Sequence, residues 1–360
     1  MEISTWIRGA RLKTLPLAIA PVVIGAALSW RGVFLYSQGG DIWHEPCPFF
    51  GGQHDLSELK FGSLVGECQR SAGWFILVAV LCGCVALFLQ VAVNFANDYS
   101  DGIRGTDEGR AVDSARSFAK TPSAESTSTP EMLPASHPQH GPARLVASGV
   151  SPKKVLAAAG INALIACLCG LAVVTLTGYW WFILVGIACL VAGWCYVGGK
   201  HPYGYHYLGE IFVFIFFGLV ATCGTMFALS GTITPDGLLG GSAAGLVAVA
   251  VLCVNNLRDI ESDGNHGKHT WMTAMGMRNG TIFTIAILII SALIALRHLL
   301  QSSMYAANGI PLIAIIAILC AAQIAASCAI ARKNYRKALP LCTLASLIVA
   351  AVFVLSSILA

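Results

Sequence analysis

Carboxylates are scarce in this chain, and they gather in two places. Of 18 acidic residues only five follow Glu131, and three of those, Asp259, Glu261 and Asp263, fall within five positions. The earlier group is Asp98, Asp101, Asp107 and Glu108. Each group contains an Asn-x-x-x-Asp pattern, Asn94 to Asp98 with Asp101 beyond it, and Asn255 to Asp259 with Asp263 beyond it. On a helix, Asn94, Asp98 and Asp101 lie within about 60° of one another, and Asn255, Asp259 and Asp263 within about 80°. Each pattern is therefore expected to form one carboxylate-bearing stripe on a helix. Hard oxygen donors without Cys or His suit Mg²⁺, which takes one or two carboxylates and completes its shell with water and phosphate oxygens. Two such stripes face to face, each with a Mg²⁺, could share one diphosphate. Arg144 near the first, and Arg258 and Lys268 around the second, would complete an anion clamp.

The elements that position these residues follow from composition. The chain is 56% hydrophobic and 11% charged, with a mean hydropathy of +0.72, whereas a soluble domain carries about 25% charged residues. A soluble surface cannot be covered with so few charges, so the class is a polytopic membrane protein. Nine apolar stretches reach the roughly 20 residues that a spanning helix needs: about 12–30, 74–97, 155–176, 179–197, 208–230, 238–257, 281–299, 310–331 and 339–359. They are continuous rather than alternating, which argues for helices over a β-barrel. The fold class is thus all-α, a bundle of nine transmembrane helices, read as one domain over 1–360.

Charge sets the expected orientation. With the N-terminus cytoplasmic, 18 of the 22 basic residues fall inside, and only Arg31, Lys60, Arg70 and Arg297 outside. That is a strong positive-inside pattern, and it accounts for the +4 net charge without a nucleic-acid partner. The C-terminus is then extracytoplasmic, and both Asp motifs lie on the cytoplasmic side of the cell membrane. Carboxylates at a membrane edge are retained when they face a polar cavity and perform a function. The basic stretch Arg8–Lys13 before an apolar run resembles a signal peptide, but Pro16 and Pro21 inside the run favour a retained first span.

Two connections are long. The outer loop 31–73 holds Cys47 and Cys68, which suit a disulfide or free thiols better than a zinc site with His44 and His54. The inner insert 111–143 is rich in Ser, Thr and Pro and has a disordered composition; its His137 and His140 read as solvated. Eleven of the 13 cysteines lie in or beside apolar runs, as small apolar residues do.

At the Asp motifs the chain resembles the UbiA superfamily of intramembrane aromatic prenyltransferases, most closely the branch that prenylates 1,4-dihydroxy-2-naphthoate in menaquinone synthesis. The resemblance rests on Asn94-x-x-Asn97-Asp98-Tyr-x-Asp101-x-x-x-Gly105-x-Asp107 and on Asn255-Asn256-x-Arg258-Asp259-x-x-x-Asp263 followed by Gly267-Lys268-x-Thr270. It extends to Arg11-Leu-Lys13-Thr-Leu-Pro16, to Arg144-Leu-Val-Ala-Ser-Gly149, and to the stretch from Tyr203 through Gly209-Glu210 to Gly218. Leu12, where the family has proline, Trp271, where it has an aliphatic, and the two long loops depart from the pattern.

The resemblance implies a central cavity open sideways to lipid. Asp98, Asp101, Asp259 and Asp263, with Asp107, would hold Mg²⁺ against the diphosphate of a polyprenyl donor. Asn94, Asn97, Arg144, Asn255, Arg258, Lys268 and Glu210 would bind the diphosphate and the aromatic acceptor. An allylic cation, shielded by an apolar wall that includes Phe212–Phe217, would be attacked by the hydroxynaphthoate ring with loss of its carboxyl group. Glu210 is open between an acid/base or substrate-orienting role and a structural hydrogen bond. Tyr203, Tyr205 and Tyr207 fit an interfacial belt better than an acceptor contact. The alternatives are another aromatic acceptor, of the 4-hydroxybenzoate or homogentisate type, and a secondary transporter, whose acids would lie at mid-membrane.

Overall fold

The computed structural model describes residues 3–34, 72–103, 145–146, 148–199, 202–265, 267–303 and 309–359. Asp107, Arg144, Cys47, Cys68 and the insert 111–143 lie outside the described residues, as does most of the loop 31–73. The described chain is almost wholly helical: α1 (Ile3–Ala10), α2 (Pro16–Phe34), α3 (Ala72–Ile103), α4 (Pro152–Thr177), α5 (Phe182–Val197), α6 (Gly209–Ser230), α7 (Pro235–Arg258), α8 (Ile260–Asn265), α9 (Trp271–Ser303), α10 (Gly309–Ala331) and α11 (Tyr335–Leu359). Two 3₁₀ turns, Leu12–Thr14 and Tyr203–Tyr205, link neighbours.

Each of the nine expected spans has a helix in its place, but they are not equivalent. Seven of the described helices are long and apolar enough to cross a membrane alone. The first span is a bent pair, Thr5–Thr14 and Pro16–Trp30, turned by 45°, with Pro16 at the helix start, where its missing N–H costs nothing. The fourth, α5, has only 16 residues, about 24 Å of helix against a hydrocarbon core of about 30 Å. A count of nine full crossings is therefore not supported; the described residues give seven, or eight with the bent pair.

The core is built around α7, whose Ala243, Ala244, Val247, Ala250 and Val254 pack against α2, α9 and α11. Lipid tails are as apolar as leucine, so such helices associate through close packing of small residues. α6 shows this directly. Its segment Ile215–Val220 is a π turn, and Gly218 there presses on α7. A Cβ on Gly218 would stand 2.5 Å from the Gly241 carbonyl oxygen and 2.6 Å from Gly245 Cα. The widened turn also places both Phe216 and Phe217 on the cavity wall, consistent with the frequent use of π turns at functional sites. Gly218→Ala is expected to destabilise the bundle by about 1–3 kcal/mol, since rigid backbone must move to admit the methyl group. Thermal unfolding of the detergent-solubilised protein measures this, and an unchanged melting temperature would show that α6 and α7 separate freely.

Candidate active site

The first motif occupies the last turns of α3. Cavity-lining residues recur there at three- and four-residue steps, ending in Asn94, Asn97, Asp98 and Asp101. Asp98 is almost fully buried (2% exposed), and its Oδ1 accepts a hydrogen bond from Arg11 Nη2 at 2.7 Å. Arg11 reaches it from a left-handed backbone conformation (φ 56°) between α1 and the following 3₁₀ turn. The N-terminal strap is pinned to α3 by three further contacts. Asn94 Nδ2 donates to the Ala10 carbonyl at 3.1 Å, Gln90 Nε2 donates to the Thr14 carbonyl at 2.8 Å, and Trp6 meets Phe95 edge-on at 5.9 Å. Asp101, also buried, accepts from the Tyr205 hydroxyl at 3.0 Å.

The second motif departs from the single stripe expected of it. α7 ends at Arg258, and Asp259 takes a non-helical conformation (φ −100°, ψ 13°) before α8. Hydrogen bonding nevertheless runs through the bend, from Asp259 N–H to the Asn255 carbonyl (3.1 Å) and from Asp263 N–H to the Asp259 carbonyl (2.8 Å). Arg258 folds onto its neighbour as a fork, with Nε to Asp259 Oδ1 and Nη2 to Oδ2, both at 2.8 Å, the geometry of the stronger charge-assisted pairs. Lys268 Nζ donates to Asp263 Oδ2 at 2.9 Å and to Asn256 Oδ1 at 3.4 Å. Glu210, 2% exposed, accepts from Asn256 Nδ2 at 3.2 Å and from the Trp271 N–H at 3.3 Å. Glu210 and Asp263 thus stand behind the lining residues Asn256 and Lys268 rather than on the wall itself.

Both motifs open on one cavity of about 1480 Å³. Asn94, Asn97, Asp98 and Asp101 line one side, and Asn255, Asn256, Arg258, Asp259 and Lys268 the other. Tyr205 stands between them. Its hydroxyl is on Asp101, and Lys268 Nζ lies 6.0 Å from its ring centroid. Its turn is stitched to the Lys268 loop by the bridge His206–His269, through His269 N–H to the Tyr205 carbonyl and Tyr207 N–H to the His269 carbonyl, both 3.0 Å. Tyr203 and Tyr205 therefore face the cavity, while Tyr207 is exposed in the manner of a belt residue. Burial pushes the Tyr203 phenol well above its usual range, so it serves as a neutral donor, to the Ala192 carbonyl at 2.8 Å.

Arg11, Lys13, Tyr205 and Arg336 join the cavity lining without having been assigned site roles from sequence. The available signal was the basic Arg11-Leu-Lys13 directly before an apolar run, read above for topology and resemblance only. Beyond the polar end the wall is apolar, with Leu89, Val93, Phe212, Phe216 and Val220 among its residues. Among the described residues no three His, Cys, Asp or Glu side chains converge on one point. The first motif offers the cavity two carboxylates, Asp98 and Asp101, beside Asn94 and Asn97. The second offers Asp259 beside Asn255, with Asp263 set back on Lys268 and not on the wall as the sequence suggested. This donor set suits Mg²⁺, since the ion takes one or two protein carboxylates and leaves the rest of its shell to water and phosphate. Asp98, Asp259 and Asp263 each hold a basic partner, and so escape the several-kcal/mol cost of an isolated buried charge.

A helical membrane bundle with paired carboxylates and cations at one end of a cavity, and a long apolar wall behind them, defines a class. It suits proteins that handle an anionic head group on an aliphatic tail. The chain belongs to the UbiA prenyltransferase family, which matches it over residues 61–348. Among its relatives is the 1,4-dihydroxy-2-naphthoate octaprenyltransferase of Mycobacterium leprae, 34% identical over 272 residues, or 75% of this chain and 69% of the relative. The protein of the same name from Escherichia coli K12 is 31% identical, covering 76% of this chain and 69% of its own length. That of Haemophilus influenzae is 30% identical, covering 81% and 76%. The fold is shared with the apo structure of a UbiA homolog from Aeropyrum pernix K1, at a TM-score of 0.55 and 14% identity over 95% of this chain and 97% of that one.

Proposed function

We propose that this protein transfers a polyprenyl group from a polyprenyl diphosphate to 1,4-dihydroxy-2-naphthoate. The products are demethylmenaquinone in its quinol form, diphosphate and carbon dioxide. The observation that carries the reading is the pairing of both Asn/Asp motifs on one cavity whose remaining wall is apolar; the names of the relatives point to the acceptor. We read residues 1–360 as one domain in the cell membrane with the N-terminus cytoplasmic, a reading supported by the basic residues at the motif end.

Asp98, Asp101 and Asp259, with Asp107, would hold Mg²⁺, with Asp263 behind them steadying Lys268, and when bound this ion supplies charge neutralisation for the leaving diphosphate. Arg258 and Lys268, with Arg144 assigned beside them, offer donors to the diphosphate oxygens as the allylic C–O bond breaks and its electron pair leaves with the diphosphate. Asn94 and Gln90 keep the Arg11 strap closed against α3, and Arg11 adds a further cation at Asp98. The apolar wall excludes water from the allylic cation, and the Phe212 and Phe216 ring faces favour positive charge. The acceptor ring forms the new carbon–carbon bond, losing its carboxyl group as carbon dioxide and a proton.

The test is an assay of purified protein with farnesyl or octaprenyl diphosphate, Mg²⁺ and a panel of aromatic acids. Diphosphate release coupled to prenylation of the naphthoate is expected. Preferred prenylation of 4-hydroxybenzoate or homogentisate would move the assignment to another acceptor, and no release with any acid would refute the enzyme reading.

A further inference from the structure

The cavity lining carries six cations and three carboxylates, and the cations fall into two sets. Arg11, Arg258 and Lys268 hold Asp98, Asp259 and Asp263 respectively, at the end assigned above to Mg²⁺ and diphosphate. Arg8 turns aside to Thr5, its Nη2 donating to Oγ1 at 3.3 Å. Lys13 and Arg336 remain, and among the described residues no carboxylate pairs with either. The chain has no acidic residue after Asp263, so α9, α10 and α11 have none to give.

The fold places this pair on neighbouring elements. Lys13 sits in the 3₁₀ turn Leu12–Thr14, against which α11 packs. Gln90 holds that turn to α3, with Nε2 on the Thr14 carbonyl. Arg336 stands in the first turn of α11. The buried Tyr335 before it fixes this start to α9, its hydroxyl donating to Met277 Sδ at 3.0 Å. A first turn favours acids, because the helix dipole already presents positive charge there, yet α11 places Arg336 and Lys337 in it. Topology alone does not explain which cations meet the cavity. Arg332, Lys333 and Lys337 are exposed and off the lining, whereas Lys13 and Arg336 are exposed and on it. Beside them Leu12, Leu17, Leu339 and Pro340 continue the lining with apolar surface.

We propose that Lys13 and Arg336 form the subsite for the carboxylate of the aromatic acceptor, with its ring on the apolar surface of Leu12, Leu339 and Pro340. The proposal rests on the prenyl transfer argued above and names the residues that select an aromatic acid over a neutral phenol. Two cations with no carboxylate of their own, beside an apolar face, match a flat ring bearing one carboxylate. The Arg336 guanidinium can grip both oxygens at once. The diphosphate is assigned Arg258, Lys268 and Mg²⁺, so the two anions of the reaction take separate sets of cations. Transfer removes the carboxylate as carbon dioxide, so the prenylated product keeps no charge for this pair to hold and leaves for lipid.

The test is calorimetric binding of 1-hydroxy-2-naphthoate, and of its uncharged amide, to the purified protein without donor. Lys13→Gln and Arg336→Gln are each expected to weaken binding of the acid about tenfold, the lower end for a hydrogen bond to a charged group because the rim is wet. The amide is expected to bind all three proteins alike. Arg336→Lys, which keeps the charge and loses the fork, is expected to fall between wild type and Arg336→Gln. Unchanged affinity for the acid, or equal losses for acid and amide, would overturn the subsite. In the transfer assay the two glutamine variants are expected to raise KM for 1,4-dihydroxy-2-naphthoate about tenfold, with KM for farnesyl diphosphate nearly constant. A rise confined to the donor's KM would hand both cations to the diphosphate and overturn the proposal. A wild-type protein that prefers the acid to the amide yet transfers no prenyl group to any acceptor would refute prenyl transfer and leave the subsite standing.

Discussion

Asp98→Ala and Asp259→Ala are each expected to lower kcat by at least roughly 10²–10³-fold, the cost of removing a group that stabilises transition-state charge, while the protein stays inserted and folded. The two residues come from different helices and different motifs, yet both line the polar end of one cavity. Each is buried, at 2% and 8% exposure, on the lining of the cavity. Loss of Asp98 strands the Arg11 guanidinium, but that side chain is one-third exposed, so water takes over much of its charge. Loss of Asp259 leaves Arg258, which is more enclosed, so the second variant is expected to be the less stable. Asn in place of Asp keeps the shape and removes the charge, and it separates metal and anion handling from packing. The check is Mg²⁺-dependent diphosphate release in a single turnover, with Mn²⁺ binding followed by electron paramagnetic resonance and with the melting temperature. Full turnover in both alanine variants would remove these carboxylates from the chemistry.

How far such a site could be read beforehand depends on what each residue's neighbours in sequence reveal. The first motif was legible because α3 is a single apolar run that ends in Asn94, Asp98 and Asp101, so helical spacing alone puts them on one face. The second was legible as a set but not as a shape. Helical spacing was carried through Asp259, where the chain turns, and nothing local marks that bend before Gly264. The pairing of Arg11 with Asp98 spans 87 positions and depends on a left-handed backbone at a non-glycine residue, which sequence rarely betrays. The same limit applies to Tyr205, whose cavity-facing position is set by a bridge to His269 on another loop. Span four reads as a crossing by hydropathy over 179–197, and its helix ends at Val197 as expected. It begins only at Phe182, after a turn through 178–181, so the shortness of α5 appears only once that start is placed.

Glu210→Ala is expected to lower kcat by about 10–100-fold, the scale on which small misplacements of catalytic groups act, while Glu210→Gln retains most of the activity. The reason lies in the hydrogen-bond order. Glu210 accepts from Asn256 Nδ2 and thereby turns Asn256 Oδ1 toward Lys268, whose ammonium also holds Asp263. A reversed Asn256 amide would present its NH₂ to the ammonium, and Lys268 would lose one of its two anchors. The same carboxylate accepts the Trp271 N–H at the start of α9, tying the Lys268 loop to α6. Alanine leaves two enclosed donors unpaired, at about 1–3 kcal/mol each, so a lower melting temperature should accompany the lost rate. Glutamine keeps an oxygen that can accept both bonds. A Glu210 that moved a proton for the acceptor would behave differently, because glutamine would then be as damaging as alanine. Comparing kcat, KM for the diphosphate and melting temperature across the two variants separates positioning from proton transfer, and equal loss of kcat in both would assign Glu210 to the chemistry itself.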